Sequence, residues 1–139
     1  MAVNKISLDI LTPMGAKQSD LEVPGVEVPG LQGEMGVLPE HVPFVTPLVP
    51  GVVRYREGET DRRLAIGAGM LEISEIGRVS ILTERALFAD EVDSPAVYER
   101  LKVVTSTLAE DYGPIDAVEH RKLATEQMWL EAQLRAAAS

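Results

Sequence analysis

Glu34, Glu40 and His41 fall within eight residues of one another. They are the side chains best placed for acid–base work: two carboxyls and an imidazole could supply a hydrolase with an acid, a base and an orienting group. Their surroundings do not follow that use. There is no Ser-His-Asp context, no phosphate-cradling loop and no acid pair set in a recognisable cleft. Gly67-Ala68-Gly69 is too short for a dinucleotide fingerprint. His41 has no second His or Cys nearby, and the chain has no Cys at all. That excludes a thiolate zinc site, a disulfide framework and a Cys nucleophile. No catalytic residue, metal or cofactor is expected.

Charge narrows the partners. The 139 residues carry 13 Lys+Arg against 22 Asp+Glu, a net charge of -9. Such a surface repels a phosphate backbone, so no nucleic acid is expected. A carbohydrate platform lacks its aromatics, with two Phe, three Tyr and one Trp in the chain. A stand-alone β-sandwich ligand-binding module remains the competing reading.

The elements that must position these residues divide into two parts. Of 11 Gly and 9 Pro, residues 1–88 hold 10 and 7. Dense punctuation implies short strands and turns, and sparse punctuation permits long helices. Ile6, Leu8 and Ile10 alternate with Ser7, Asp9 and Leu11, and Val79, Ile81 and Thr83 with Ser80 and Leu82. Period two predicts half-buried strands. Glu75-Ile76-Gly77-Arg78 and Glu57-Gly58-Glu59 read as hairpin turns. The fold class is therefore an N-terminal antiparallel β-sandwich (1–88), an acidic linker (89–94) and a C-terminal two-helix hairpin (95–139). Ser94 reads as the N-cap, with Pro95 at the first helical position. Val97, Leu101, Val104 and Leu108 form one apolar stripe; Val118, Leu123, Leu130 and Leu134 form another, with Ala117, Ala124 and Ala132 permitting close approach. Asp111-Tyr112-Gly113-Pro114 should separate the helices. Met128 and Trp129 read as packing residues that meet the sandwich if the hairpin folds down on it. The stripes are narrow, so the hairpin needs the sandwich or another protein to stay ordered. The apolar run 44–53 is cut by Pro47, Pro50 and Gly51, so no membrane insertion is expected. The start, Met1 to Ser7, has neither a basic region nor an apolar signal core, which argues against secretion by that route.

One segment is more specific. Residues 33–51 read GEMGVLPEHVPFVTPLVPG, with Pro43, Pro47, Pro50 and Gly51 following Pro39. A strand so rich in Pro must lie at an edge or bend, which makes it a rigid connection between sheets. The pattern G-E-M-G-V-L-P-E-H-V-P followed by T-P-L-x-P-G resembles the epsilon subunit of bacterial and chloroplast F-type ATP synthases. Ala68-Gly69-Met70-Leu71-Glu72-Ile73 is similar to that family's second landmark, and the two-part layout matches over essentially the whole chain.

The resemblance implies a non-catalytic rotor subunit. Its sandwich would bind the gamma subunit and the c-ring, and its hairpin would transiently reach the catalytic beta and alpha subunits and oppose ATP hydrolysis. It would sit in a peripheral membrane complex on the cytoplasmic face of the bacterial plasma membrane, or on the stromal face of the thylakoid. Glu34 lies between Gly33 and Gly36, which read as an exposed turn, and with Met35 and His41 it would face the c-ring. His41 also reads as a residue packed beneath the proline-rich turn. Gly33, Gly36, Pro39, Pro43, Gly51 and Gly69 would shape the motif. The gamma-binding face stays open, because Val52-Val53-Arg54-Tyr55 and Leu64-Ala65-Ile66 both look two-sided. Some family members bind ATP through an Asp-x-x-Arg pattern at the first helix. Here Asp93 remains but Ala96 replaces the Arg, so nucleotide binding is expected to be weak or absent. Residues 89–139 carry five basic side chains against ten carboxylates. Arg121, Lys122 and Arg135 are the possible inhibitory strip, although they read more readily as an ordinary solvated helix face.

Overall fold

The alternating segments become ten strands: β1 (Ile6–Thr12), β2 (Gly15–Val23), β3 (Val26–Gly30), β4 (Gly33–Val37), β5 (Phe44–Leu48), β6 (Gly51–Glu57), β7 (Thr60–Ile66), β8 (Gly69–Ile73), β9 (Arg78–Thr83) and β10 (Ala86–Phe88). Two helices follow, α1 (Ser94–Ala109) and α2 (Ala117–Ala137). The computed structural model describes residues 4–110 and 117–138. The expected Asp111-to-Pro114 break and the first three residues lie outside the described residues.

The strands run in the order β10-β7-β6-β3-β5-β8-β9-β1-β2, with β4 on the free side of β3. β3 and β5 meet through one residue pair, Gly30 with Leu48. That hinge divides the ladder into two five-stranded halves, which fold face to face. The chain crosses between them at Pro47-Leu48-Val49-Pro50-Gly51, where β5 ends and β6 begins. The proline-rich segment is thus the bent connection its composition predicts: Pro47 sits in a strand whose full ladder is made only with β8. β1 joins β9 in parallel, a non-local pairing that closes the second half.

Inward-facing residues fill the space between the halves. Leu8, Ile10, Val28, Val53, Leu64, Ile66, Leu71 and Ile81 are all fully buried. Gly69 shows how tightly strands approach. A Cβ built there would lie 2.1 Å from the Leu82 carbonyl oxygen and 2.9 Å from the Thr83 Cα. Backbone cannot yield as a flexible side chain does, so Gly69→Ala should cost about 3 kcal/mol by forcing β8 from β9. Chemical denaturation measures that loss.

The linker is shorter than expected. Ala89–Glu91 forms one 3-10 turn, and Asp93 rather than Ser94 caps α1, its carboxylate accepting from the Ala96 N–H at 3.2 Å. Val97, Val104 and Leu130 then build a helix–helix core with Leu101, Leu108, Leu123 and Leu134. Val118 is exposed and lies outside that stripe. Arg100 closes the outside of the hairpin with two hydrogen bonds to Glu126, at 2.7 and 2.8 Å. This pairing holds the Glu126 carboxyl below its usual range.

A second face of α2 lies on the sandwich. Trp129, Ala132 and Ala136 pack against Val52, Ala65 and Leu87, the outward residues of β6, β7 and β10. Arg85 stacks over the Trp129 ring at 4.6 Å. The hairpin is therefore folded down, and Val52 and Ala65 look two-sided in sequence because both sheet faces at that point are covered.

Candidate functional site

Glu34 stands in a strand rather than in the turn its glycines imply. The turn is Leu31-Gln32, between the paired Gly30 and Gly33. Gly33 has φ +116°, a conformation side chains other than hydrogen rarely adopt. Glu34 is the second residue of β4, an edge strand, with its side chain 59% exposed. It accepts a hydrogen bond from Arg54 Nη1 at 3.3 Å.

Alternation turns its neighbour the other way. Met35 pairs with Val28 and packs on the sandwich core. His41 sits beyond the far end of β4. Its ring lies 5.1 Å from the Phe44 ring, and Nδ1 is 3.1 Å from the Val42 carbonyl oxygen. No hydrogen bond or ring contact joins His41 to Glu34 among the described residues. Pro39 and Glu40 make the turn after β4, with Glu40 at φ +67°, and Pro43 leads into β5. Gly51 opens β6 against Pro29, whereas Gly36 has open space where a Cβ would be.

The acid–base trio thus does not converge. Among the described residues no group of His, Asp and Glu has a metal-binding arrangement. No described helix is long and apolar enough to cross a membrane.

The sandwich's other outer face carries a different signal. Pro47 pairs with Met70, Met70 with Leu82, Leu82 with Leu11, and Leu11 with Ala16. These five outward residues form one apolar row across β5, β8, β9, β1 and β2. Met70 is 40% and Leu82 43% exposed, although each sits in the middle of a sheet. Beside the middle of the row Leu11, Thr12, Pro13, Leu82 and Glu84 line a shallow groove of about 440 Å³. The next row starts with Val45 and is otherwise polar, with Glu72, Ser80 and Asp9. Arg78 ties Asp9 and Asp20 together there. An apolar centre with a polar border is the anatomy of a protein interface. Sequence reading missed this row because its members lie on five strands that only the strand register aligns.

The hairpin residues are more scattered. Arg121 and Lys122 lie near the start of α2, and Lys122 pairs with Glu119 at 3.4 Å. Arg135 is in the last turn, about 20 Å further along the helix. Asp93 is engaged as the α1 cap and Arg100 with Glu126, so neither is free to clamp a phosphate.

A sandwich with an apolar row bare on one outer face and a helical hairpin packed on the other has the surface of a docking protein. The chain belongs to the ATP synthase delta/epsilon chain family, whose β-sandwich domain matches residues 5–89. It is 34% identical to the ATP synthase epsilon chain of Magnetococcus marinus over 131 residues, covering 94% of this chain and 93% of that one. It is 44% identical to the epsilon chain of Syntrophobacter fumaroxidans over 89 residues, 64% and 65% of the two chains. Its fold resembles a chain in the cryo-EM structure of the Euglena gracilis mitochondrial ATP synthase, OSCP/F1/c-ring, at a TM-score of 0.80 and 24% identity, covering 96% and 81%. It also resembles a chain of the Tetrahymena thermophila mitochondrial ATP synthase central stalk and c-ring, at a TM-score of 0.67 and 11% identity, covering 99% and 100%. Family membership makes this a non-catalytic subunit of a membrane-bound complex.

Proposed function

We propose that this epsilon chain joins the gamma subunit to the c-ring in the rotor and passes torque between them. One observation carries the gamma contact: the row Pro47–Met70–Leu82–Leu11–Ala16 is the apolar surface that the folded-down hairpin leaves bare. Glu34, on the edge strand β4, is the c-ring contact, where an exposed charge sets register and association rate more than affinity. Met35 supports that strand from the core side, and His41 braces the neighbouring loop against Phe44. In this role the chain works at the cytoplasmic face of a bacterial plasma membrane.

The hairpin is the regulatory part. Folded down, it covers Val52 and Ala65; released, it presents Arg121, Lys122 and Arg135 to the catalytic alpha and beta subunits and opposes hydrolysis. Nucleotide does not hold it, since Ala96 supplies no cation. The test is the ATPase rate of the complex with the full chain and with a chain ending at Asp90. The expected result is a rate about fivefold or more higher with the shortened chain, the size of a coupling near 1 kcal/mol. Equal rates would remove the inhibitory role and leave the rotor role standing.

A further inference from the structure

We infer that Arg54 is a positioning residue for Glu34, an assignment that rests on the proposed role of Glu34 at the ring. Arg54 belongs to β6, two strands away from the edge strand that carries Glu34. Across the sheet it is flanked by Glu27 of β3 on one side and Arg63 of β7 on the other. Two like charges directly opposite in a sheet repel. Arg63 makes no ion pair among the described residues. The repulsion drives the Arg54 guanidinium away from β7 and over β3, where it reaches Glu34 at 3.3 Å. Glu27, the cross-strand neighbour of Arg54, adds attraction in the same direction. Gly36, opposite Glu27, leaves that path clear, with nothing within 4 Å of where its Cβ would stand.

The pair does little for stability. Both side chains are well exposed, 40% for Arg54 and 59% for Glu34, and exposed pairs contribute little. Its effect is on presentation. A carboxylate on an exposed edge strand samples many rotamers, and each must be given up on docking. The arginine holds Glu34 near one position. Arg54 also lines, with Glu27, Gly36, Leu38 and Arg63, a groove of about 660 Å³ in which an approaching polar loop can seat.

The experiment measures the association rate of the full chain with the gamma–c-ring assembly as salt is varied. The variants are Glu34→Gln, Arg54→Gln, Arg54→Lys and the double Glu34→Gln/Arg54→Gln. Glu34→Gln and Arg54→Gln should each slow association about fivefold at low salt and converge with the native chain at high salt. The double variant should be no slower than either single one, and Arg54→Lys, which keeps the charge, should recover most of the rate. Melting temperatures should not move, which separates positioning from folding. If Glu34→Gln is slow and Arg54→Gln is native-like, or if the two losses multiply, the assignment of Arg54 is wrong and the role of Glu34 survives. If Glu34→Gln associates like the native chain, the reading of Glu34 itself falls, and the inference falls with it.

Discussion

Leu82→Asp should abolish binding to gamma while leaving the isolated chain folded. Leu82 is at the centre of the apolar row, between Met70 and Leu11, and 43% of it is exposed in the free chain. Leu82 lies outside the core between the two halves, so an Asp on this half-exposed face should cost the free chain only about 1 kcal/mol. In a docked complex the same site is a central anchor. Truncating an anchor costs about 2 kcal/mol or more, and an unpaired carboxylate adds its desolvation. The expected loss in a binding titration with purified gamma is therefore at least about a hundredfold. Glu72→Lys, on the polar row beside it, is the control and should change affinity by less than about fivefold, because rim charges contribute little. Near-native binding by Leu82→Asp, with weak binding by Glu72→Lys, would place the docking face elsewhere.

Trp129→Ala should release the hairpin without unfolding the sandwich. Trp129 is nearly buried between α2 and the outer face of β6 and β7, and its ring carries the Arg85 stack. Truncating a buried Trp costs about 3–5 kcal/mol. The other contacts of that interface are small, Ala132 and Ala136 on Val52 and Ala65. They cannot compensate for the loss. The sandwich core, with Leu8, Leu64, Leu71 and Ile81, does not touch this residue and keeps its stability. Hydrogen exchange reads both parts at once. Amides of α2 should exchange at least about a hundredfold faster, and those of β1, β8 and β9 should be unchanged. In the assembled enzyme the same variant should shift the ATPase rate toward whatever the released hairpin imposes. Uniform acceleration across both parts would mean that the two unfold as one unit and that the hairpin is no separate device.

Much of this was legible in the chain itself. Period two in Ile6-Ser7-Leu8-Asp9-Ile10 puts three apolar side chains on one face, and the core receives them. The same alternation sets Leu11 with Ser7 and Asp9, and Leu82 with Ser80, on the outer face. What local pattern does not contain is register. Pro47, Met70, Leu82, Leu11 and Ala16 align only through strand register, set by two hairpins and by two pairings between distant segments, one of them parallel. The hairpin's seat was legible only in part, through Trp129. Trp129, Ala132 and Ala136 follow helical spacing, but two of them are alanines, which read as ordinary helix formers rather than as a contact face. Asp93 displaced Ser94 as the cap because both residue types serve and they are adjacent. Glu34 moved from turn to strand because a two-residue turn needs only Leu31 and Gln32 between its paired glycines. The pairing of Glu34 with Arg54 spans twenty positions and three strands, beyond any spacing rule.

The most direct test is electron cryo-microscopy of the intact synthase containing this chain. The face formed by β5, β8, β9, β1 and β2 should lie against gamma, with Met70 and Leu82 inside the contact, and the β3–β4 edge should point Glu34 at the c-ring. Density that leaves Met70 and Leu82 in solvent, or turns β4 away from the ring, would contradict the account.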